Sequence, residues 1–299
     1  MKPRSTVSSG RWRRMLFGAA VLAIVAAGAV GCGSDSKKAA TPSGAATAAP
    51  AKASAEVQAL HQAFAGAIEK WNAKDLDGFV ANFTEKGLIS SFGEPGKSLA
   101  EAKASLQGFF ASQPLKNPTF SQERISGDVG TMDAVFQLGP TLLHSKFTLA
   151  RAGAGWKLDG EASDLPVDVP AGASKINVDL NEFAFGVDPS GIAEAKGQFA
   201  LVANNVGKQG HELAISRIPA GVVVADLLKQ FASAPNGEVA GVSFIAGTGA
   251  DPGQQRNLVF AEPLERGRYL LICFRPDTAE GPEGTPHAMK GMVKDFTIN

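Results

Sequence analysis

The sequence predicts two folded units of different class, an α+β domain followed by an all-β Greek-key sandwich. Apolar residues recur at three- and four-residue spacing from Val57 to Trp71, which is typical of an amphipathic helix. Beyond Pro118 the spacing changes to the alternation of strands, and a second, wholly strand-like pattern starts at Ile176 after a short proline-containing segment. We therefore assign residues 55–163 to the first domain, 164–174 to a linker and 175–299 to the second domain.

The first 31 residues have the order of an export signal, with charge first and an apolar run after it. They contain five basic residues and no acidic one, and an Ala-, Val- and Gly-rich run extends from Met15 to Gly31. A membrane-spanning helix needs about 20 strongly apolar residues, whereas this run is shorter and is diluted by alanine and glycine. The sequence therefore predicts a signal peptide over residues 1–31, cleaved before Cys32.

The tetrapeptide Ala29-Val30-Gly31-Cys32 resembles a bacterial lipobox. The resemblance implies that Cys32 carries lipid and anchors the protein in the cell envelope, on the outer side of the cytoplasmic membrane. Arg13 and Arg14 resemble the twin-arginine export pattern, although the charged segment of an ordinary secretory signal fits them equally well. The following stretch has no large apolar residue, so residues 32–54 are predicted to be a lipidated cysteine and a disordered tether.

Charge and cysteine content narrow the choice of partners. Removing the signal leaves 24 basic against 29 acidic residues, a net charge of −5, so nucleic acid is not an expected partner. The chain has 2 cysteines, of which Cys32 belongs to the lipobox. Cys273 is then the one thiol of the folded part, and it is either buried and inert or held by a metal.

The elements of the first domain follow from caps and spacing. After the long helix, Asp75 is predicted to cap a short second helix, and Ser98 with Glu101 forms a capping box that opens a third. Strands are predicted over 120–125, 129–138, 142–151 and 156–160. Helices followed by an antiparallel meander predict the α+β class.

This order of elements, together with the runs 71–76 (Trp-Asn-Ala-Lys-Asp-Leu) and 155–160 (Gly-Trp-Lys-Leu-Asp-Gly), resembles the nuclear-transport-factor-2-like superfamily, including its SnoaL-like members. The resemblance implies a curved sheet that wraps the long helix into a cone. Some members bind a small ligand there and others catalyse a reaction, so a small ligand is a possible partner of this domain. His61, Asp133 and His144 are the pocket candidates, with structural roles favoured for them. We do not expect an enzyme.

The sequence of the second domain predicts strands throughout, except for one interruption. Residues 219–256 are predicted to be an insertion that contains a helix over 222–231 and is otherwise a glycine-rich loop.

Three motifs of this domain occur in a characteristic chain order. An Asn-x-Gly turn precedes His211, a Gly-x-Tyr-x-x-x-Cys run ends at Cys273, and His287 is followed, after a glycine, by Met292. Together they resemble the cupredoxin family, the plastocyanin-like blue-copper β-sandwiches. The resemblance implies one type 1 copper ion, with two histidines and the cysteine in a plane and the methionine as a weak axial ligand. Met289 lies too close behind His287 for the family spacing and is assigned to packing.

The Cys–His spacing departs from the family, because thirteen residues, 274–286, separate Cys273 from His287 where a few are common. A loop of this length costs only about 1.7 kcal/mol more to close than a two-residue loop. The sequence thus favours an exported, lipid-anchored copper protein for electron transfer or copper handling, with a redox or copper-transfer partner protein. A metal-free interaction or ligand-binding module is the alternative, in which each motif residue is ordinary core or loop, and an enzyme acting in the cone comes third.

Overall fold

The computed structural model describes residues 54–93, 98–162, 165–234, 239–282 and 284–299. The predicted signal peptide, Cys32 and nearly all of the predicted tether lie outside these residues. The helices of the first domain are α1 (Ala55–Asn72), α2 (Leu76–Val80), α3 (Glu85–Phe92) and α4 (Leu99–Phe109). No helix within the described ranges combines the length and apolar character needed to cross a membrane.

Helices α2 and α4 begin at the side-chain caps that the sequence predicts. Asp75 accepts a hydrogen bond from the Gly78 amide at 2.9 Å at the start of α2. Ser98 and Glu101 form the predicted capping box of α4. Helix α3 was not predicted. Only Gly87 and Leu88 of its eight residues are buried, so its apolar residues are too few to show a helical period in the sequence.

The sheet of the first domain is an antiparallel meander of β1 (Leu115–Ser126), β2 (Val129–Leu138), β3 (Thr141–Ala152) and β4 (Gly155–Ala162). One face of this sheet packs on the helices. The core there consists of fully or nearly fully buried apolar side chains that include Leu60, Phe64, Trp71, Leu106, Met132, Phe147 and Leu158.

The second domain is a sandwich of two packed sheets. Its elements are β5 (Ser174–Asn181), β6 (Ala184–Gly186), α5 (Pro189–Ala193), β7 (Phe199–Asn205), β8 (His211–Ile218), α6 (Val224–Ser233), β9 (Ser243–Ala250), β10 (Gln255–Phe260), β11 (Gly267–Ile272) and β12 (Val293–Ile298). Strands β10, β7, β5 and β6 lie in one sheet, with β5 and β7 parallel, and β12, β11, β8 and β9 form the other. An apolar core that includes Phe199, Leu213, Phe260 and Leu271 lies between them. The predicted fold class, α+β followed by a β-sandwich, is confirmed.

The prediction for residues 219–256 was partly wrong. A helix forms at Val224–Ser233, but the glycine-rich part contains β9, which pairs with β8. A side chain at Gly249 would lie 3.1 Å from the Arg275 guanidinium, so glycine is needed in the strand where another group approaches closely. The glycines of β9 allow other groups to approach the strand closely, and the sequence prediction wrongly assigned them to a loop.

The two domains share a sheet edge. Phe260 of β10 pairs with Thr141 of β3, so one sheet of the sandwich continues into the meander. The Gln113 side-chain amide donates to the carbonyl oxygens of Phe244 and Ile245 at 3.1 and 3.2 Å. Among the described residues, the buried apolar side chains nevertheless fall into separate cores in the two domains.

The linker runs over the sheet before it reaches β5. The Leu165 amide donates to the His144 carbonyl at 3.1 Å, and the Asn257 side chain donates to the Val167 carbonyl at 3.2 Å. Ala171 and Gly172 are exposed and lie beyond these contacts.

Limited proteolysis is expected to cut the chain at residues 171–172 and to leave two stable fragments, because proteases attack exposed backbone that few contacts hold. Mass spectrometry of the early fragments identifies the site. First cuts inside the strands, with no stable fragment, would contradict the division into two domains.

Candidate metal centre

The predicted site residues come from three chain segments that meet at one end of the sandwich. His211 begins β8, Cys273 directly follows β11, and His287 begins a 3₁₀ turn, His287–Lys290. Strands β8 and β11 are paired neighbours, with Ala214 opposite Ile272. Continued by one residue, this register places Leu213 opposite Cys273, with His211 two residues further along on the same face of the sheet. All three site side chains are completely buried.

Their donor atoms converge. His211 Nδ1 lies 3.0 Å from His287 Nδ1, and Cys273 Sγ lies 3.5 Å from the same His287 atom. One potential ligand atom from each residue falls within 4.8 Å of the others. The two Nε2 atoms are buried without a hydrogen-bond partner in the described structure. Two Nδ1 atoms and a sulfur around one point form a donor set for a metal with affinity for imidazole and thiolate.

Backbone hydrogen bonds fix this arrangement and bring in Met292. The Ala288 amide donates to the Cys273 carbonyl at 2.7 Å, and the His287 amide donates to the Arg275 carbonyl at 2.8 Å. Met292 donates to the His287 carbonyl at 3.0 Å and accepts from the Cys273 amide at 3.2 Å. Its side chain is fully buried in the same core as Cys273.

Burial sets the protonation states of the donors. It raises the pKa of the Cys273 thiol to about 12, and the nearby Glu212 adds to the rise. Burial, with the neighbouring His211, lowers the pKa of His287 to about 4. Burial also lowers the pKa of His211, although Glu182 partly offsets it. Both rings are therefore neutral near pH 7, and a metal would displace a proton from the thiol.

Comparisons with known proteins find similarity in solved structures only. No protein-family model matches the sequence, and no curated protein matches it. A cystatin-like-fold domain from Nostoc punctiforme PCC 73102 is 17% identical, with 40% of this chain and 82% of that one covered and a TM-score of 0.31. An NTF-2-like protein from Shewanella oneidensis MR-1 is also 17% identical, with 36% and 97% covered and a TM-score of 0.31. Dithionite-reduced auracyanin from Roseiflexus castenholzii is 20% identical, with 43% and 99% covered and a TM-score of 0.28.

Side-chain hydrogen bonds hold the long Cys–His segment in place beside the site. Asp277, which is nearly buried, accepts from the Gln209 side chain at 2.9 Å. The Lys290 ammonium donates to both Asp277 and Glu280. The Thr278 amide donates to the Gln209 side chain at 2.7 Å. The insertion is thus tied to the turn that carries His287 and to the loop before β8.

The stabilising effect of the Lys290 ion pairs with Asp277 and Glu280 should be sensitive to acid. Hydrogen bonds from Lys290 lower the pKa of Asp277 and of Glu280 to about 2 each. Since both values lie below the ordinary ones of about 4, the pairs stabilise the fold above pH 4 and lose this effect as the pH falls towards 2.

Lys290→Met should remove this contribution, so its free energy of unfolding should fall less than that of the wild type between pH 5 and pH 3. Urea unfolding at several pH values measures the difference. Lys229→Met, which breaks a surface pair with Asp226, serves as the control. Parallel stability curves for Lys290→Met and the wild type would show that the pairs add nothing.

The pocket candidates of the first domain have partners of their own. His61 Nε2 lies 2.8 Å from Glu123 Oε1, and its ring stacks on Phe120. His144 Nδ1 donates to the Pro166 carbonyl at 2.8 Å. Asp133 alternates along β2 with buried residues of the helix–sheet core, so it points away from that core. Its Oδ2 lies 3.8 Å from His144 Nε2, and its Oδ1 is buried without a hydrogen-bond partner among the described residues. The contacts of His61 and His144 support structural roles for these two residues, and a ligand of this domain stays a prediction.

Two residues beside the centre were not found from the sequence. Glu182 and Phe183 form the turn between β5 and β6, and Glu182 Oε1 lies 3.8 Å from His211 Nε2. The Phe183 ring meets His287 edge to face, with centroids 5.1 Å apart. They lie far from the three motifs in sequence and belong to none of them, so only folding reveals their position.

Proposed function

We propose that the sandwich binds one copper ion through His211, Cys273 and His287, with Met292 as a weak axial ligand, and transfers electrons at the cell envelope. The observation that carries this proposal is the convergence of two imidazole Nδ1 atoms and one thiol in a fully buried group. Copper suits this combination of soft sulfur and imidazole ligands better than a hard cation does, and when bound it supplies one-electron redox chemistry.

The chain fixes the positions of the three donor side chains and shields them from water. Register between β8 and β11, and the hydrogen bonds from Ala288 and Met292, hold the donors in place before any ion arrives. Burial of all three donors excludes water from them. A carrier that hands copper to another protein needs reachable ligands, so these enclosed donors favour a retained ion and electron transfer over copper handling. The partner expected is therefore a redox protein.

The direct test is to add Cu(II) to the mature chain, record the visible spectrum and measure bound metal. We expect one copper per chain and an intense band from thiolate bound to Cu(II), lost on reduction. His144→Ala, which removes a histidine outside the site, should behave like the wild type. Absence of stoichiometric copper under both oxidising and reducing conditions would reject the proposal and leave a metal-free sandwich.

The place of action rests on the lipobox-like tetrapeptide that ends at Cys32. We expect the wild type to incorporate labelled fatty acid in a bacterial host and to sediment with membranes. Cys32→Ala should lose both properties almost completely, because nothing else is predicted to anchor the chain. Ser36→Ala, four residues further on, is the matched control. Labelling that persists in Cys32→Ala would contradict lipidation at this residue.

A further inference from the structure

One buried nitrogen of the centre faces a carboxylate. His211 is completely buried, and its Nε2 has no hydrogen-bond partner in the described part of the chain. Glu182 Oε1 lies 3.8 Å from this atom. A buried imidazole N–H without an acceptor is costly, and this gap is under 1 Å longer than a normal N–H···O hydrogen bond of about 2.9 Å.

Glu182 is held in this position by the loop that leads to His211. The Gln209 amide donates to Glu182 Oε1 at 3.1 Å, and the Lys208 amide donates to the same oxygen. Two backbone donors on one oxygen stabilise the charged carboxylate and fix its direction. The carboxylate is thus oriented independently of the histidine.

Gly207 keeps the space between the two side chains open. A Cβ atom at this position would lie 2.7 Å from Glu182 Oε1 and 2.7 Å from His211 Nε2. Any other residue would therefore intrude between the carboxylate and the ring. This gives the glycine of the Asn-x-Gly turn a role in the centre itself.

We propose that Glu182 is a positioning residue, whose carboxylate accepts the Nε2–H of His211 and thereby leaves Nδ1 unprotonated and directed at Cys273 and His287. The inference deepens the proposed function, because it assigns how one ligand of that centre is oriented. Metal-ligating histidines usually donate their second ring N–H to a carboxylate or carbonyl, which fixes the tautomer and raises the basicity of the ligand.

The turn between β5 and β6 makes different contacts with the two histidines: Glu182 lies near His211, and Phe183 lies near His287. His287 Nε2 is buried without a hydrogen-bond partner in the described structure, and the neighbour of this ring from the β5–β6 turn is the Phe183 ring, in an edge-to-face contact. Glu182 is therefore placed to accept a hydrogen bond from His211 Nε2, whereas Glu182 and Asp277 act on His287 only as nearby charges. A carboxylate behind one ligand favours Cu(II) over Cu(I), so Glu182 should lower the reduction potential.

The first test uses the metal-free mature chain, so it does not depend on copper. Nitrogen-15 NMR of labelled histidines distinguishes the two ring tautomers, and loss of signals in His211→Asn assigns His211. We expect His211 to carry its proton on Nε2 in the wild type, to keep it largely there in Glu182→Gln, which retains an acceptor, and to lose this preference in Glu182→Ala. A wild-type proton on Nδ1, or an unchanged tautomer in Glu182→Ala, would overturn the inference.

The second test measures Cu(II) and Cu(I) affinities by competition with chelators. Glu182→Gln, which keeps an acceptor but removes the negative charge beside His211, should weaken Cu(II) binding about 10-fold, the lower end of outer-shell effects, with little change for Cu(I). For a one-electron couple, this shift in ratio equals a potential about 59 mV more positive. Glu265→Gln, on an exposed side chain before β11, is the matched control.

Equal ratios in Glu182→Gln and the wild type would overturn the effect on the potential. If no copper binds at all, the proposed function fails, while the tautomer measurement still decides the role of Glu182.

Discussion

Cys273→Ser is expected to weaken Cu(II) binding by more than about 100-fold, since even outer-shell changes at metal sites cost 10- to 100-fold. The thiolate is the one soft anionic donor of the group, and a serine hydroxyl stays protonated and binds copper weakly. The intense visible band should disappear with it, because that band requires a Cu(II)–thiolate bond.

Serine is the appropriate replacement because it leaves the surroundings in place. The Glu212 amide donates to Cys273 Sγ at 3.3 Å, and a hydroxyl oxygen can accept the same hydrogen bond. Thermal unfolding of the metal-free variant should therefore stay close to that of the wild type. Metal analysis after gel filtration and the visible spectrum then report the ligand alone.

Met292→Leu provides the graded comparison. Met292 would be the weakest of the four donors, because a neutral thioether would add little to two imidazoles and a thiolate. This nearly isosteric change should therefore keep copper binding within about 10-fold and shift the potential instead. Copper retained fully in Cys273→Ser, or lost completely in Met292→Leu, would mean that the donors are arranged differently from the proposal.

The sequence was informative wherever a local pattern determines structure. The cap at Asp75 and the capping box at Ser98 need only a few neighbouring residues, and both were predicted correctly. The sequence could single out His211, Cys273 and His287 because each lies in a short motif with fixed offsets, and the structure brings these three residues together. Their convergence within 4.8 Å depends on the pairing of β8 with β11 and on the backbone hydrogen bonds that hold the His287 turn against Cys273 and Arg275.

Features that depend on distant segments could not be predicted in this way. Glu182 reaches His211 only because the turn before β6 folds against the loop before β8. The brace from Lys290 to Asp277 crosses an insertion that differs from the family pattern. Strand β9 carries glycines that serve a close approach, so its composition resembles a loop. No local rule distinguishes these cases, since the deciding contacts are made by remote parts of the chain.

Phe260→Ala is expected to lower the stability of the sandwich by about 3–5 kcal/mol, the usual cost of truncating a buried phenylalanine. Phe260 is completely buried in the sandwich core and stacks on Phe199 with ring centroids 4.4 Å apart. It also lies where the sheet passes to the first domain, opposite Thr141. The variant therefore tests whether stability is shared across that edge.

The chain offers a separate optical signal for each domain. Trp71 and Trp156 are buried in the first domain. Tyr269, the single tyrosine of the sequence, is buried in the sandwich. Because the buried apolar side chains of the described residues form a separate core in each domain, Phe260→Ala should move the urea transition seen by tyrosine and leave the tryptophan transition in place. Glu262→Gln breaks only a half-exposed pair with Lys116 and should cost under about 1 kcal/mol. Tyrosine and tryptophan transitions that shift together in Phe260→Ala would show one cooperative unit instead, with the shared sheet edge transmitting the loss.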